Sequence, residues 1–224
     1  MTDNAVHRFL VEPANLSPDA VAVIDAPSGD TTTRGELLEA SRSVAQLLLD
    51  RGVVPEQRIM MCCLDTKAFL AWFWGTMWIG AVPVPVSTML TEKDYEFLIE
   101  DSRAVGLVMS KALKESMGQA TDNQPFLLWT QKDDDVTGLD GATELGEPFP
   151  AVEDDIAFWL YTSGTTGFPK GAMHRHADLA FCTDMYATAV LGMHSEDVIY
   201  SVAKLFFAYG LGNAGSFPAG TGAS

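Results

Sequence analysis

Residues 156–171 read Ile156-Ala157-Phe158-Trp159-Leu160-Tyr161-Thr162-Ser163-Gly164-Thr165-Thr166-Gly167-Phe168-Pro169-Lys170-Gly171, and this stretch decides the fold. The first six residues are apolar, as in a strand buried on both faces. Glycines and hydroxyls dominate the next ten, with Lys170 near the end. A helix-like segment follows over residues 177–191, closed by Gly192. Strand, glycine-and-hydroxyl loop and helix together form a layout that suits phosphate binding. Gly164, Gly167 and Gly171 let the backbone approach a bulky anion. Thr162, Ser163, Thr165 and Thr166 can donate to phosphate oxygens, and successive amides can form an anion nest. Pro169 stiffens the approach to Lys170. At roughly 4 Å from a phosphate oxygen, the Lys170 charge is worth about 4 kcal/mol at an effective dielectric near 20.

Two other loops fail on spacing. A phosphate loop of the Walker type needs G-x-x-x-x-G-K-[ST]. Counting from Gly164, its second glycine is Pro169, and Gly171 replaces the hydroxyl. A nucleophile elbow needs G-x-S-x-G, and Ser163 has Tyr161 and Thr165 at the glycine positions.

Working outward, residues 1–130 read as an α/β subdomain with a largely parallel sheet flanked by helices. Strands are expected over residues 21–25, 58–64, 81–86, 105–109 and 126–129. Helices are expected from a capping box at Thr33 and Glu36 to Gly52, over residues 67–80, from a cap at Thr91 to Ser102, and near residues 111–117. Residues 68–86 carry no charge over 19 positions. Gly75, Gly80, Pro83 and Pro85 interrupt them, so a buried helix followed by a buried strand is expected rather than a membrane span. Residues 131–155 hold nine acidic residues and one lysine, half of the net charge of −16. They read as a solvated, partly mobile connection, with residues 156–224 as the next unit.

Composition narrows the function. Of 224 residues, 14 are Lys or Arg and 30 are Asp or Glu, a balance that repels nucleic-acid backbones. An anionic ligand therefore needs its own local positive site, which screening beyond about 8 Å permits. Cys62, Cys63 and Cys182 make no disulfide framework, which points to a reducing, cytoplasmic compartment. Cys62 and Cys63, adjacent on a strand, should face opposite ways. His174 and His176, at i and i+2, share no helix face, so no metal site is expected there. Met60, Met61 and Met77 read as core.

The stretch from Tyr161 to Gly171 resembles the phosphate-loop signature of the adenylate-forming enzymes. That superfamily includes acyl- and aryl-CoA synthetases, peptide-synthetase adenylation domains and firefly luciferase. Residues 74–85 resemble the family's core helix and following strand. His176 matches a histidine at the start of the next helix, and Asp178 stands where asparagine is common. Residues 204–213 resemble the acyl-pocket segment of benzoate–CoA ligases and related aryl-CoA ligases. Phe207 and Tyr209 can give flat apolar walls, with Ala208 and Gly210 leaving room for a ring, while Phe206 reads as core.

The resemblance implies the N-terminal part of the adenylate-forming fold and a two-step reaction using MgATP, an aromatic carboxylate and coenzyme A. It assigns Thr162, Ser163, Gly164, Thr165, Thr166, Gly167 and Lys170 to the triphosphate. Phe207, Ala208, Tyr209 and Gly210 go to the acid. It also implies later motifs, a magnesium-binding glutamate and a mobile C-terminal domain with the catalytic lysine, all beyond Ser224. The chain is thus expected to be an incomplete piece, inactive alone, with a face prone to stick or to form a homodimer. Another acid, fatty or amino, and a nucleotide-binding remnant without activity stay open. No membrane or nucleic-acid partner is expected.

Overall fold

A computed structural model describes residues 4–122, 127–130, 145–162 and 168–224. A π-helical turn, His7–Val11, runs into the short helix α1 (Glu12–Leu16), followed by an antiparallel hairpin of β1 (Val21–Ile24) and β2 (Thr31–Thr33). Helix α2 (Arg34–Asp50) starts at a capping box. The Thr33 hydroxyl accepts the Glu36 amide at 3.2 Å, and the Glu36 carboxylate accepts the Thr33 amide at 2.8 Å. Gly52 stands just past its end at φ 77°, as a left-handed C-terminal residue should.

The core alternates strand and helix: β3 (Arg58–Cys62), α3 (Lys67–Trp78), β4 (Val82–Pro85), α4 (Glu92–Ser102), β5 (Gly106–Ser110) and β6 (Leu127–Thr130). The strands form one parallel sheet in the order β4-β3-β5-β6. Strand β3 shows why it is buried on both faces. Ile59, Met61 and Cys63 join a cluster with α2 and α3, whereas Met60 and Cys62 join Tyr95 and Leu98 of α4. The adjacent cysteines do face opposite ways, as a period of two requires.

Every residue of α3 from Ala68 to Trp78 is buried. No helix among the described residues is long and apolar enough to cross a membrane. Phe9 stacks on Trp74 with ring centres 5.9 Å apart, and Phe73 meets Trp74 edge-on at 5.1 Å. Helix α2 crosses α3 closely at Gly75, where a Cβ would lie 2.5 Å from Ser41 O and 2.7 Å from Val44 Cβ.

Two expectations from the sequence are corrected here, and one strand was not anticipated. The pair β1–β2 includes a strand that three threonines did not signal. Residues 111–117 give only a 3₁₀ turn, Lys111–Leu113, with Met117 folded into the core instead of continuing a helix. The segment after the glycine-rich loop is a strand before it is a helix. Here β7 (Ile156–Thr162) pairs antiparallel with β8 (Lys170–Arg175), because the backbone of residues 170–175 finds its partners on β7. Helix α5 (His176–Cys182) then begins and runs on as a π-helical turn, Thr183–Thr188, before Gly192 at φ 66°. The chain ends in α6 (Ala208–Leu211), a π turn and α7 (Phe217–Thr221).

Residues 131–144 of the acidic stretch lie outside the described residues. Its last part docks on α3: the Phe149 amide donates to Trp78 O at 2.7 Å, and Trp78 Nε1 donates to Gly146 O at 3.1 Å.

The close approach at Gly75 yields a stability test. Ala at this position gains about 1 kcal/mol of helix propensity but overpacks a backbone oxygen and a branched side chain, so Gly75→Ala should destabilise by about 2 kcal/mol net. Gly146→Ala, where nothing lies within 4 Å of the new Cβ, should stay within about 0.5 kcal/mol of wild type. Urea midpoints of the two variants check this.

Candidate functional site

Antiparallel pairing brings the two ends of the glycine-rich loop together. Thr162 and Lys170 are register partners at the loop end of the β7–β8 hairpin, and both are exposed. Lys170 makes no ion pair with any described residue. Ser163, Gly164, Thr165, Thr166 and Gly167 lie outside the described residues. Gly171 sits opposite Tyr161, and a Cβ there would press on the Trp159 ring at 3.1 Å.

Three aromatic contacts hold this hairpin. Phe158 packs edge-on against Phe73 of α3 at 5.4 Å and lies parallel to the His174 ring at 4.6 Å. Phe168, two-thirds exposed, meets Phe97 of α4 at 5.5 Å. One turn further along α4, Asp101 accepts a 2.6 Å hydrogen bond from the Tyr161 hydroxyl. Burial, and then the hydrogen bond to Asp101, push that hydroxyl well above its ordinary value, so Tyr161 remains a donor. Phe97 and Asp101, spaced i and i+4, share one face of α4 and support residues 168 and 161 on either side of the loop.

His176 begins α5 and is almost completely buried. Its Nδ1 accepts the Ala5 amide at 3.1 Å, tying the N-terminal segment to the foot of the hairpin. Burial lowers its pKa to about 4, so the ring is neutral at pH 7. Asp178 accepts the Arg175 amide at 3.0 Å and pairs with the Arg175 guanidinium, so the residue that departs from asparagine reaches back from the first turn of α5 to the amide of its N-cap residue, Arg175. Burial opposes its charge, but the Arg175 contacts outweigh that and hold its carboxyl below the usual range. Among the described residues no three His, Cys, Asp or Glu side chains converge as a metal site.

The second candidate segment lies beyond the hairpin. Phe206 is core, as read from the sequence, whereas Phe207 is about half exposed and Tyr209 is 66% exposed. Ala208 is exposed with them, while Gly210 is buried. Gly210 must be glycine for a reason the composition did not reveal: a Cβ would lie 2.0 Å from Lys204 O. Asp101, Phe97 and His176 Nδ1 support the site through contacts that no local pattern announces.

The AMP-binding enzyme family matches residues 10–223. The chain belongs to that family. Benzoate–CoA ligase from Thauera aromatica is 38% identical over 99% of this chain and 42% of its own length. The 4-hydroxybenzoate–CoA/benzoate–CoA ligase of Rhodopseudomonas palustris is 39% identical over 85% of this chain and 36% of its own. Among solved structures, a benzoate CoA ligase from Burkholderia xenovorans superposes with a TM-score of 0.86 at 38% identity, covering 97% of this chain and 44% of that one. An anthranilate CoA ligase in complex with anthranoyl-AMP superposes with a TM-score of 0.91 at 26% identity, covering 99% of this chain and 44% of that one. The chain thus spans less than half the length of these AMP-binding relatives.

The buried His176 predicts an acid-sensitive joint. Its folded pKa of about 4 lies below the ordinary 6.5, so its stabilising share is complete above pH 6.5 and drains away as pH falls through 4. The loss amounts to about 3 kcal/mol over that window. The substitution His176→Asn keeps an acceptor for the Ala5 amide but removes the titrating ring. The stability of this variant should fall less steeply between pH 6.5 and 4 than that of wild type, as followed by urea unfolding at each pH.

Proposed function

We propose that this chain is the nucleotide-loop part of an ATP-dependent aryl acid–CoA ligase of the benzoate–CoA ligase kind. The observation that carries the reading is Lys170, a cation without an ion pair among the described residues at the mouth of the hairpin, in a chain of net charge −16. A protein so acidic gathers a polyphosphate only through a local donor set, and Thr162 and Lys170 flank a loop rich in glycine and hydroxyls. The identity of 38–39% to relatives named for benzoate supports an aromatic acid as substrate.

The chemistry follows in two steps. A carboxylate oxygen of the acid attacks the α-phosphorus of ATP, and pyrophosphate leaves with the cleaved phosphoanhydride oxygen. The sulfur of coenzyme A then attacks the acyl carbonyl, the thiol proton is released, and AMP leaves as the thioester forms. In the first step the protein's share is positioning and charge stabilisation. Thr162, Ser163, Gly164, Thr165, Thr166, Gly167 and Lys170 are assigned to the triphosphate. Phe207, Ala208, Tyr209 and Gly210 are assigned to the acid. Mg²⁺ would enter with the nucleotide phosphates, whose oxygens are its usual partners.

All three cysteines are free, which supports a reducing, cytoplasmic setting.

Acid-dependent pyrophosphate exchange in the full-length protein tests the reading. With benzoate, Lys170→Ala should raise the KM for ATP by about tenfold to several hundredfold, within the range that one point charge can supply. Lys170→Arg should recover part of it, and the KM for benzoate should change little. Unchanged nucleotide affinity in Lys170→Ala would remove the loop from its assigned role.

A further inference from the structure

The turn that leads into α6 contains an amide its own backbone does not satisfy. Residues 204–207 close through the Phe207 amide, which donates to Lys204 O at 3.0 Å. One residue into the turn, the Leu205 amide donates instead to Asp65 Oδ1 at 3.0 Å, across 140 positions of chain. The other oxygen, Oδ2, lies 3.4 Å from Lys204 Nζ. Helix α6 then folds back over the same turn, so closely that a Cβ on Gly210 would sit 2.0 Å from Lys204 O and 2.6 Å from Ala203 O. The turn therefore dictates where Ala208, Tyr209 and Gly210 lie, and Asp65 holds the turn.

Asp65 is itself well founded. It follows β3 at the carboxyl end of the parallel sheet. Beside it, the Leu64 amide donates to Ser110 Oγ at the end of β5 at 2.9 Å, and the Thr66 amide donates to Leu64 O at 2.9 Å. In open α/β sheets, ligands collect outside the carboxyl ends of strands where the strand order switches. Strand β3 is such a place: α3 leads from it to β4 on one side, and α4 returns the chain to β5 on the other. Behind the turn lies a cavity of about 350 Å³, walled by Thr31, Asp65, Lys67, Tyr200 and Lys204. Little packing there can replace Asp65 if it is removed.

We propose that Asp65 is a positioning residue for the acid-binding segment, holding Ala208, Tyr209 and Gly210 in register with the end of β3. The proposal rests on the aryl-acid reading of that segment. The amide contact carries the effect, because an exposed Lys–Asp pair is worth little, whereas a turn amide that loses a carboxylate acceptor loses a charge-assisted bond. Asparagine keeps an acceptor and should rescue.

Kinetics and hydrogen exchange on the full-length protein test this. Asp65→Ala should raise the KM for benzoate about tenfold or more while the KM for ATP moves less than about twofold. Asp65→Asn should return the KM for benzoate to within about threefold of wild type. Exchange at the Leu205 amide should quicken about tenfold or more in Asp65→Ala and far less in Asp65→Asn. A rise in both Michaelis constants together, or in neither, overturns the positioning role. An unchanged Leu205 amide overturns the clamp itself. A wild-type protein that forms no thioester from any aromatic acid would overturn the aryl-acid reading, and the exchange result would still decide the clamp.

Discussion

Burial of α3 on every side is the constraint on which the other elements depend. A helix carrying Phe69, Trp72, Phe73, Trp74, Met77 and Trp78 has no polar face to offer water, so it needs a partner all round. Its neighbours are α2, the sheet, the N-terminal Phe9 and the strand that carries Phe158. Gly75 lets α2 close to backbone contact, and residues 146–149 seal the C-terminal end. The hairpin that carries Lys170 thus stands on a tightly packed base.

The electrostatic design follows from the same economy of contacts. The chain is acidic overall, yet the cations near the candidate sites differ in their commitments. Arg175 is taken up by Asp154 and Asp178, and Lys204 leans on Asp65. Lys170 has no such commitment among the described residues.

Much of the site could be read along the chain, because its signals are local. Glycines, hydroxyls and one lysine packed into ten residues announce a phosphate loop by composition, and the apolar run before them announces a buried strand. Thr33 with Glu36 marks one helix start by a spacing of three and Thr91 marks another, and both caps form, Thr91 in a box with Asp94 that the sequence reading did not name. Residues 170–175 escaped that reading. Their strand character arises from pairing with β7 and not from any alternation of their own. Asp65, Phe97 and Asp101 belong to the same class: each looks ordinary in sequence, and its partner is dozens to more than a hundred positions away.

Amino-acid order alone determined the α/β class, the buried α3 and its following strand, the opposed faces of Cys62 and Cys63, and the place of the glycine-and-hydroxyl stretch after β7. Each of these rests on interactions within a few residues or on a short period, so a linear chain displays them. Tertiary structure alone decided that Thr162 and Lys170 meet as antiparallel partners, that Phe97 and Asp101 support Phe168 and Tyr161, and that the backbone of Lys204 demands glycine at position 210. Those facts depend on which distant surfaces meet, and the packing of α3 chose them.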